Sequence, residues 1–170
     1  MNSMQPQNPA PMEPKAADEL RLRLQHERAL DDQNLTMAII FGSVAALLGA
    51  ILWSLITVVT GRQIGFMAIG VGFLVGWAVQ KTGNGVTNTF GIAGAILSLL
   101  GCMLGNLLAG CVLAAEHFGV SFSEFMSRMN TTVAVEFFKQ TTGPIDLLFY
   151  GLAIYFGYKY SFRKLEGPKS

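Results

Sequence analysis

Charged residues are the first thing this sequence is short of. Only 14% of its 170 residues are Asp, Glu, Lys or Arg, where an ordinary soluble domain carries about a quarter. The deficit is concentrated: residues 33–61, 63–80 and 82–115 contain none of the four types. Such runs exclude a conventional water-facing surface. Cysteine is scarce too. Cys102 and Cys111 are the only two, and nine positions apart on a helix they point to opposite sides, so they cannot pair with each other. That excludes a disulfide framework and leaves the redox compartment unread. Basic runs are missing; at a net charge of +1 nothing in the chain neutralises a row of phosphates, and no nucleic-acid partner is expected. The apolar runs carry no H-E-x-x-H, Ser/His/Asp set, acidic pair or metal-ligand spacing, so no enzymatic activity, cofactor or metal site is expected. A cleavable signal peptide is not expected either, because the first apolar run starts only at Leu35 and is too long for a signal core.

What is present in quantity is apolar sequence, 51% of the chain with a mean hydropathy of +0.43. A hydrocarbon core about 30 Å thick takes roughly 20 apolar helical residues to cross. Four spans are expected, at about 35–60, 63–81, 90–115 and 144–162. The last is charge-free only from Leu147 to Tyr158; Asp146 sits at one end, and Lys159 can snorkel at the other. The expected fold is all-α: a polytopic membrane protein with a membrane domain over 35–162, four transmembrane helices in two hairpins and an amphipathic interfacial helix. Thr60-Gly61-Arg62-Gln63 is a connection short enough to force the first hairpin, and KTGNGVTNT at 81–89 is a second turn, broken by Gly83 and Gly85. FGSVAALLGAIL at 41–52 can be laid on FGIAGAILSLLG at 90–101, a faint sign that the two hairpins are repeats.

The remaining segments are polar. Residues 1–14 hold four of the six prolines and read as a disordered tail. Residues 15–34 read as a cytoplasmic helix with a Glu19–Arg23 pair and a partial stripe of Leu20, Leu24 and Leu30; 163–170 is a cytoplasmic tail. Segment 116–142 is the external connection. There Ser121 and Glu124 have capping-box spacing, and Phe122, Phe125, Met126, Met129 and Val133 recur on one helical face, as an interfacial helix requires. Both termini and the 81–89 turn carry nine of the twelve Lys and Arg, against Arg62, Arg128 and Lys139 on the other side. The positive-inside rule then puts both termini in the cytoplasm.

Glycine supplies the clearest pattern. At about 100° per residue, Gly61, Gly65, Gly72 and Gly76 fall on one stripe of the second span, while Gly70 points elsewhere. Gly94, Ser98, Gly101, Gly105 and Ala109 line one face of the third, with Cys102 beside them, and Gly42, Ala46 and Gly49 make a smaller line on the first. Apolar surface drives no helix association in lipid, so small residues that let backbones touch do that work. Close packing is expected within the bundle, between protomers, or both. Packing is favoured over a phosphate cradle, since the N–H groups inside such a helix are already bonded, and the Gly70, Gly72, Gly76 spacing is one residue too long for G-x-G-x-x-G.

Polar candidates are few. Asn106 is the most interior, suited to an interhelical hydrogen bond or to the lining of a pore or substrate path. Glu116 and His117 end the third span on the outer side, where they are either solvated or a possible outer-interface site for a proton or metal. Asp146 follows Pro144 in the first turn of the fourth span and suits the positive end of that helix. Tyr158 and Tyr160, beside Arg163 and Lys164, look like an interfacial anchor.

The runs TGRQIGFMAIGVGFLVGWAVQKTGNG, FGIAGAILSLLGCMLGNLL and DLLFYGLAIYFGYKYSF resemble a family of small, functionally uncharacterised four-span bacterial membrane proteins. The resemblance covers about residues 36–162 and leaves out the amino-terminal part. It implies the fold and a bacterial inner membrane, and no activity, cofactor or catalytic residue. The expected function is that of a non-enzymatic structural or accessory subunit among membrane lipid, which self-associates as a homo-oligomer or docks on a larger membrane complex. The alternative is a small oligomeric channel or transporter whose path follows the small-residue faces near Asn106. An enzyme at the outer interface using Glu116 and His117 is a third reading.

Overall fold

A computed structural model describes residues 13–61, 65–128 and 142–163, with residues 130, 132, 135, 136 and 139 between the last two segments. The chain is all-α, with no strand among the described residues. Its helices are α1 (Pro14–Asp31), α2 (Leu35–Thr60), α3 (Met67–Gly83), α4 (Asn88–Phe118), α5 (Phe122–Arg128) and α6 (Pro144–Lys159). Residues 1–12 and 164–170 of the expected tails, Arg62 and Gln63 of the first turn, Met129 and Val133 of the interfacial face, and Lys164 of the anchor lie outside the described residues.

Local chemistry sets the helix ends. The Asn34 side chain accepts from the Met37 N–H at 3.0 Å and opens α2. The helix stops at Gly61, whose φ of +63° places the next peptide in the left-handed region that glycine occupies without cost. Asn84 closes α3 at φ 49°, a conformation asparagine tolerates. Pro144 occupies the first turn of α6, and the Asp146 carboxylate accepts from the Gly143 N–H at 2.7 Å, tying the turn together. On α1 the ion pair is Asp18–Arg21 at 3.8 Å, not the expected Glu19–Arg23 pair.

Two helices, α2 and α4, are long and apolar enough to cross a membrane. They contain 26 and 31 residues, hence about 39 and 46 Å at the usual rise. The 17-residue α3 and 16-residue α6 reach only about 26 and 24 Å. Only 33% of the most apolar stretch of α2, and 39% of that of α4, is buried inside the chain, whereas the core helix of a soluble protein is mostly buried.

The way residues divide between inside and outside follows size rather than polarity. On α2 the buried residues include Ala38, Gly42, Ala45, Ala46, Gly49 and Ala50, while Phe41, Leu48, Ile51 and Leu55 are about half exposed. On α4 the same division separates Gly94, Ser98, Gly101 and Gly105 from Ile92, Ile96 and Leu100. Two large residues are exceptions: Phe90 of α4 is 3% exposed, and Trp53 of α2 is 2% exposed, with its Cβ and Cγ against Gly105.

The helices form a diamond. α3 and α4 touch each other, and each touches both α2 and α6, while α2 and α6 do not meet. The two hairpins are therefore not equivalent, as exact repeats would be. α5 packs only on α4, and α1 touches no other described helix. Phe122 of α5 closes one end of an apolar groove of about 260 Å³ between Ile51 and Leu55 of α2 and Leu108 and Val112 of α4. At the opposite end of the bundle the chain is laced together. Asn34 N–H donates to the Gly83 carbonyl at 2.9 Å, Arg163 N–H donates to that of Gly85 at 2.8 Å, and the Gln33 side-chain oxygen accepts from the N–H groups of Val86 and Thr87.

Trp53 offers a clean test of this packing. Its indole N–H is buried and, among the described residues, has no hydrogen-bond partner. Trp53→Phe should therefore cost little, since removal of an unsatisfied donor offsets part of the void that the smaller ring leaves. Trp53→Ala should lose roughly 3–5 kcal/mol through the cavity it opens. Thermal unfolding of the two variants in one detergent makes the comparison.

Candidate functional site: the glycine-lined seams

The most ordered chemistry in the molecule lies along the seams between helices, and it begins with glycine. Each glycine line meets its partner within the same chain. A Cβ placed on Gly72 would stand 2.7 Å from the carbonyl oxygen of Ala153, and one on Gly76 would stand 3.0 Å from that of Gly157. Gly65, just before α3, meets the Phe149 ring. These residues therefore seat α3 on α6. The α4 line divides between two neighbours. Gly94 faces α6, where its Cβ would lie 2.5 Å from the Gly157 oxygen, whereas Gly101 meets Ala46 at 3.2 Å and Gly105 meets Ala50 at 3.2 Å, both on α2. The smaller α2 line rests on α3: Gly49 faces Val71 at 3.2 Å, and Gly42 faces Val79 at 2.8 Å and Leu97 of α4 at 2.7 Å.

Gly61 stands apart and is corrected from the expected stripe. It lies beyond the end of α2 rather than on α3, and nothing stands within 4 Å of a Cβ added there. Its backbone conformation is what glycine supplies, not a contact surface. Gly70 and Gly151 also face open space, on α3 and α6 respectively.

The α4–α6 seam is polar along its length. At one end Gly157 and Gly94 are in mutual close approach, a Cβ on Gly157 falling 2.6 Å from the Gly94 oxygen. The Ser98 hydroxyl donates back to the Gly94 carbonyl at 2.7 Å, and Ser161 donates to that of Gly157 at 2.6 Å. Each hydroxyl is thereby satisfied by the carbonyl four residues earlier. Toward the other end, Asn106 is 1% exposed and donates to the Tyr150 hydroxyl at 3.0 Å and to Thr142 Oγ1 at 3.5 Å. Cys102, one turn away on α4, is fully buried. The structure thus places Asn106 in a bond between α4 and α6.

Glu116 and His117 are exposed at the end of α4. The Glu116 carbonyl accepts from the Gly119 N–H that ends the helix, and the His117 ring meets Phe118 edge to face at 5.6 Å. Among the described residues no three His, Cys, Asp or Glu stand close enough to share a metal ion.

The sequence reading missed Gly157, Ser161 and the inward role of Tyr150. Their signal was available: Asp146, Tyr150, Ala153 and Gly157 are the buried residues of α6, and their spacing of four, three and four is that of one helical face. No family model, curated protein or solved structure matches the chain.

Two predictions follow from these contacts. Gly72→Ala and Gly94→Ala, whose new methyl groups would each meet a backbone oxygen of α6 and, at Gly94, the buried Ser161 hydroxyl as well, should each destabilise by about 1–3 kcal/mol. Gly70→Ala and Gly151→Ala should be neutral or gain up to about 1 kcal/mol from helix propensity; unfolding in mild detergent distinguishes the pairs. In a double-mutant cycle, Asn106→Leu and Tyr150→Phe should show a coupling of about 0.6–1.7 kcal/mol, the range for hydrogen bonds between helices in membranes.

Proposed function

We propose that the chain is a four-span integral membrane protein in which α2, α3, α4 and α6 cross the bilayer, with α5 in the outer interface. Its role is that of a non-enzymatic structural or accessory subunit of a larger membrane complex. The observation that carries the reading is the division by size on α2 and α4: most of their large apolar side chains point outward and their glycines and alanines point inward, with Trp53 and Phe90 the large residues that are buried. Water would penalise that outward surface heavily, whereas lipid is indifferent to it. The short α3 and α6 fit a bilayer by local thinning, with Lys81 and Lys159 in their last turns at the level of the interface. The excess of Lys and Arg on the side of the termini supports cytoplasmic ends, and the resemblance to small bacterial four-span proteins supports the inner membrane.

The accessory role is favoured over the channel because of Asn106. Its amide is engaged with Tyr150 and Thr142 inside the bundle, which suits a structural bond better than the wall of a path. The glycine lines are likewise consumed inside one chain, so association with other proteins falls to the outward faces, such as that of Gly70 with Phe66 and Phe73.

Purification at native expression in mild detergent tests this. The expected outcome is one stoichiometric foreign membrane protein in the preparation. A homo-oligomer alone that conducts ions in liposomes, with the flux abolished by Asn106→Leu, would overturn it in favour of the channel.

A further inference from the structure

We propose that the adjoining C-terminal ends of α3 and α6 form a binding site for the headgroup of an anionic phospholipid. The proposal rests on the membrane reading above and adds a ligand to it.

The two helix ends are joined by the backbone. The Gln80 side chain donates to the Phe162 carbonyl, and the Arg163 N–H donates to the Gly85 carbonyl at 2.8 Å. Lys81 in the last turn of α3, Lys159 in the last turn of α6 and Arg163 just beyond it are thereby gathered at one end of the bundle, all exposed. None of the three has an ion pair with a described residue, whereas Arg21, Arg128 and Lys139 each have one. The described parts of α3, α6 and the turn after α3 contain a single acid, Asp146, at the opposite end of α6. Asp31 and Asp32, which precede α2, pair with none of the three. Three cations thus lie at one end of the bundle without a counter-charge from these segments.

Beside the cations lies an aromatic wall of the kind that meets the glycerol and upper acyl region of a lipid. Phe73, Trp77 and Lys81 follow one another at four-residue intervals and so form a single ridge of α3. Tyr160, next to Lys159, closes the seam from the other helix, with Phe73 edge to face at 5.0 Å and Phe156 stacked at 5.9 Å. Trp77 and Phe73 are half exposed. Lys159 Nζ stands 5.3 Å over the Tyr155 ring and donates to its hydroxyl at 3.2 Å, which holds the ammonium at the level of the ring. Cations and aromatics side by side at a seam between two helices fit an anionic headgroup carrying its own acyl chains better than a free anion.

The test uses the full-length protein in nanodiscs of phosphatidylcholine with and without phosphatidylglycerol, read by native mass spectrometry and by thermal stability. Phosphatidylglycerol should be retained in preference to phosphatidylcholine and should raise the midpoint of unfolding. Lys81→Gln/Lys159→Gln/Arg163→Gln should weaken retention on the order of a hundredfold, each cation being worth about a factor of five at an anionic surface. Lys81→Arg/Lys159→Arg should keep it, which separates loss of charge from loss of fold. Equal retention of both lipids, unchanged retention in the triple variant, or displacement by inorganic phosphate would overturn the proposal. Alkaline carbonate extraction runs alongside: parent and triple variant should both stay with the membrane, and release of the parent would instead overturn the membrane reading itself.

Discussion

The close approach of α4 and α6 at Gly94 and Gly157 is the contact on which the rest of the bundle depends. Each glycine lies so near the other's carbonyl that a methyl group on either would stand 2.5–2.6 Å from an oxygen. Packing this tight brings Cα–H groups of one helix toward carbonyls of the other and maximises dispersion between backbones. In the membrane setting proposed above, those are the forces left once burial of apolar surface no longer favours association. With α6 drawn onto α4, Gly72 and Gly76 seat it on α3 as well, and Tyr150 comes within reach of Asn106.

The polar groups of the interior follow the same constraint. Ser98 and Ser161 turn their hydroxyls back onto the Gly94 and Gly157 carbonyls four residues earlier, so both donors at the crossing are satisfied. Asn106 and Tyr150 bond to each other across the seam. Trp53 is the exception, its N–H buried without a partner among the described residues, and its place is explained by the volume it fills beside Gly105. The interior thus combines a snug apolar contact between α2 and α4 with a hydrogen-bonded one between α4 and α6.

Helical content and the glycine faces of α3 and α4 were legible in the sequence, because charge-free runs and the angular position of glycine depend only on local periodicity. What each face would touch was not. The α4 line divides between α6 at Gly94 and α2 at Gly101 and Gly105, a division set by the crossing of three helices and invisible to any one of them. Gly61 was assigned to the stripe because its angle fits, yet the helix it would belong to starts only at Met67. The partner of Asn106 was hidden for a related reason: Tyr150 lies 44 positions away, and four tyrosines crowd the same segment. The lengths of α3 and α6 were read as longer than they are, since apolar composition continues past the residues that Lys159 and the turn before Met67 mark as helix ends.

The central claim, that the helices pack together through their glycine-lined faces and turn the opposite faces to lipid, can be read directly from the two tryptophans, one on each kind of face. Trp53 is 2% exposed and Trp77 is 48% exposed. In vesicles containing brominated lipid, the single-tryptophan protein Trp53→Phe, which reports Trp77, should be strongly quenched. The protein Trp77→Phe, which reports Trp53, should be quenched little. Equal quenching of both, or quenching of neither, would contradict the account.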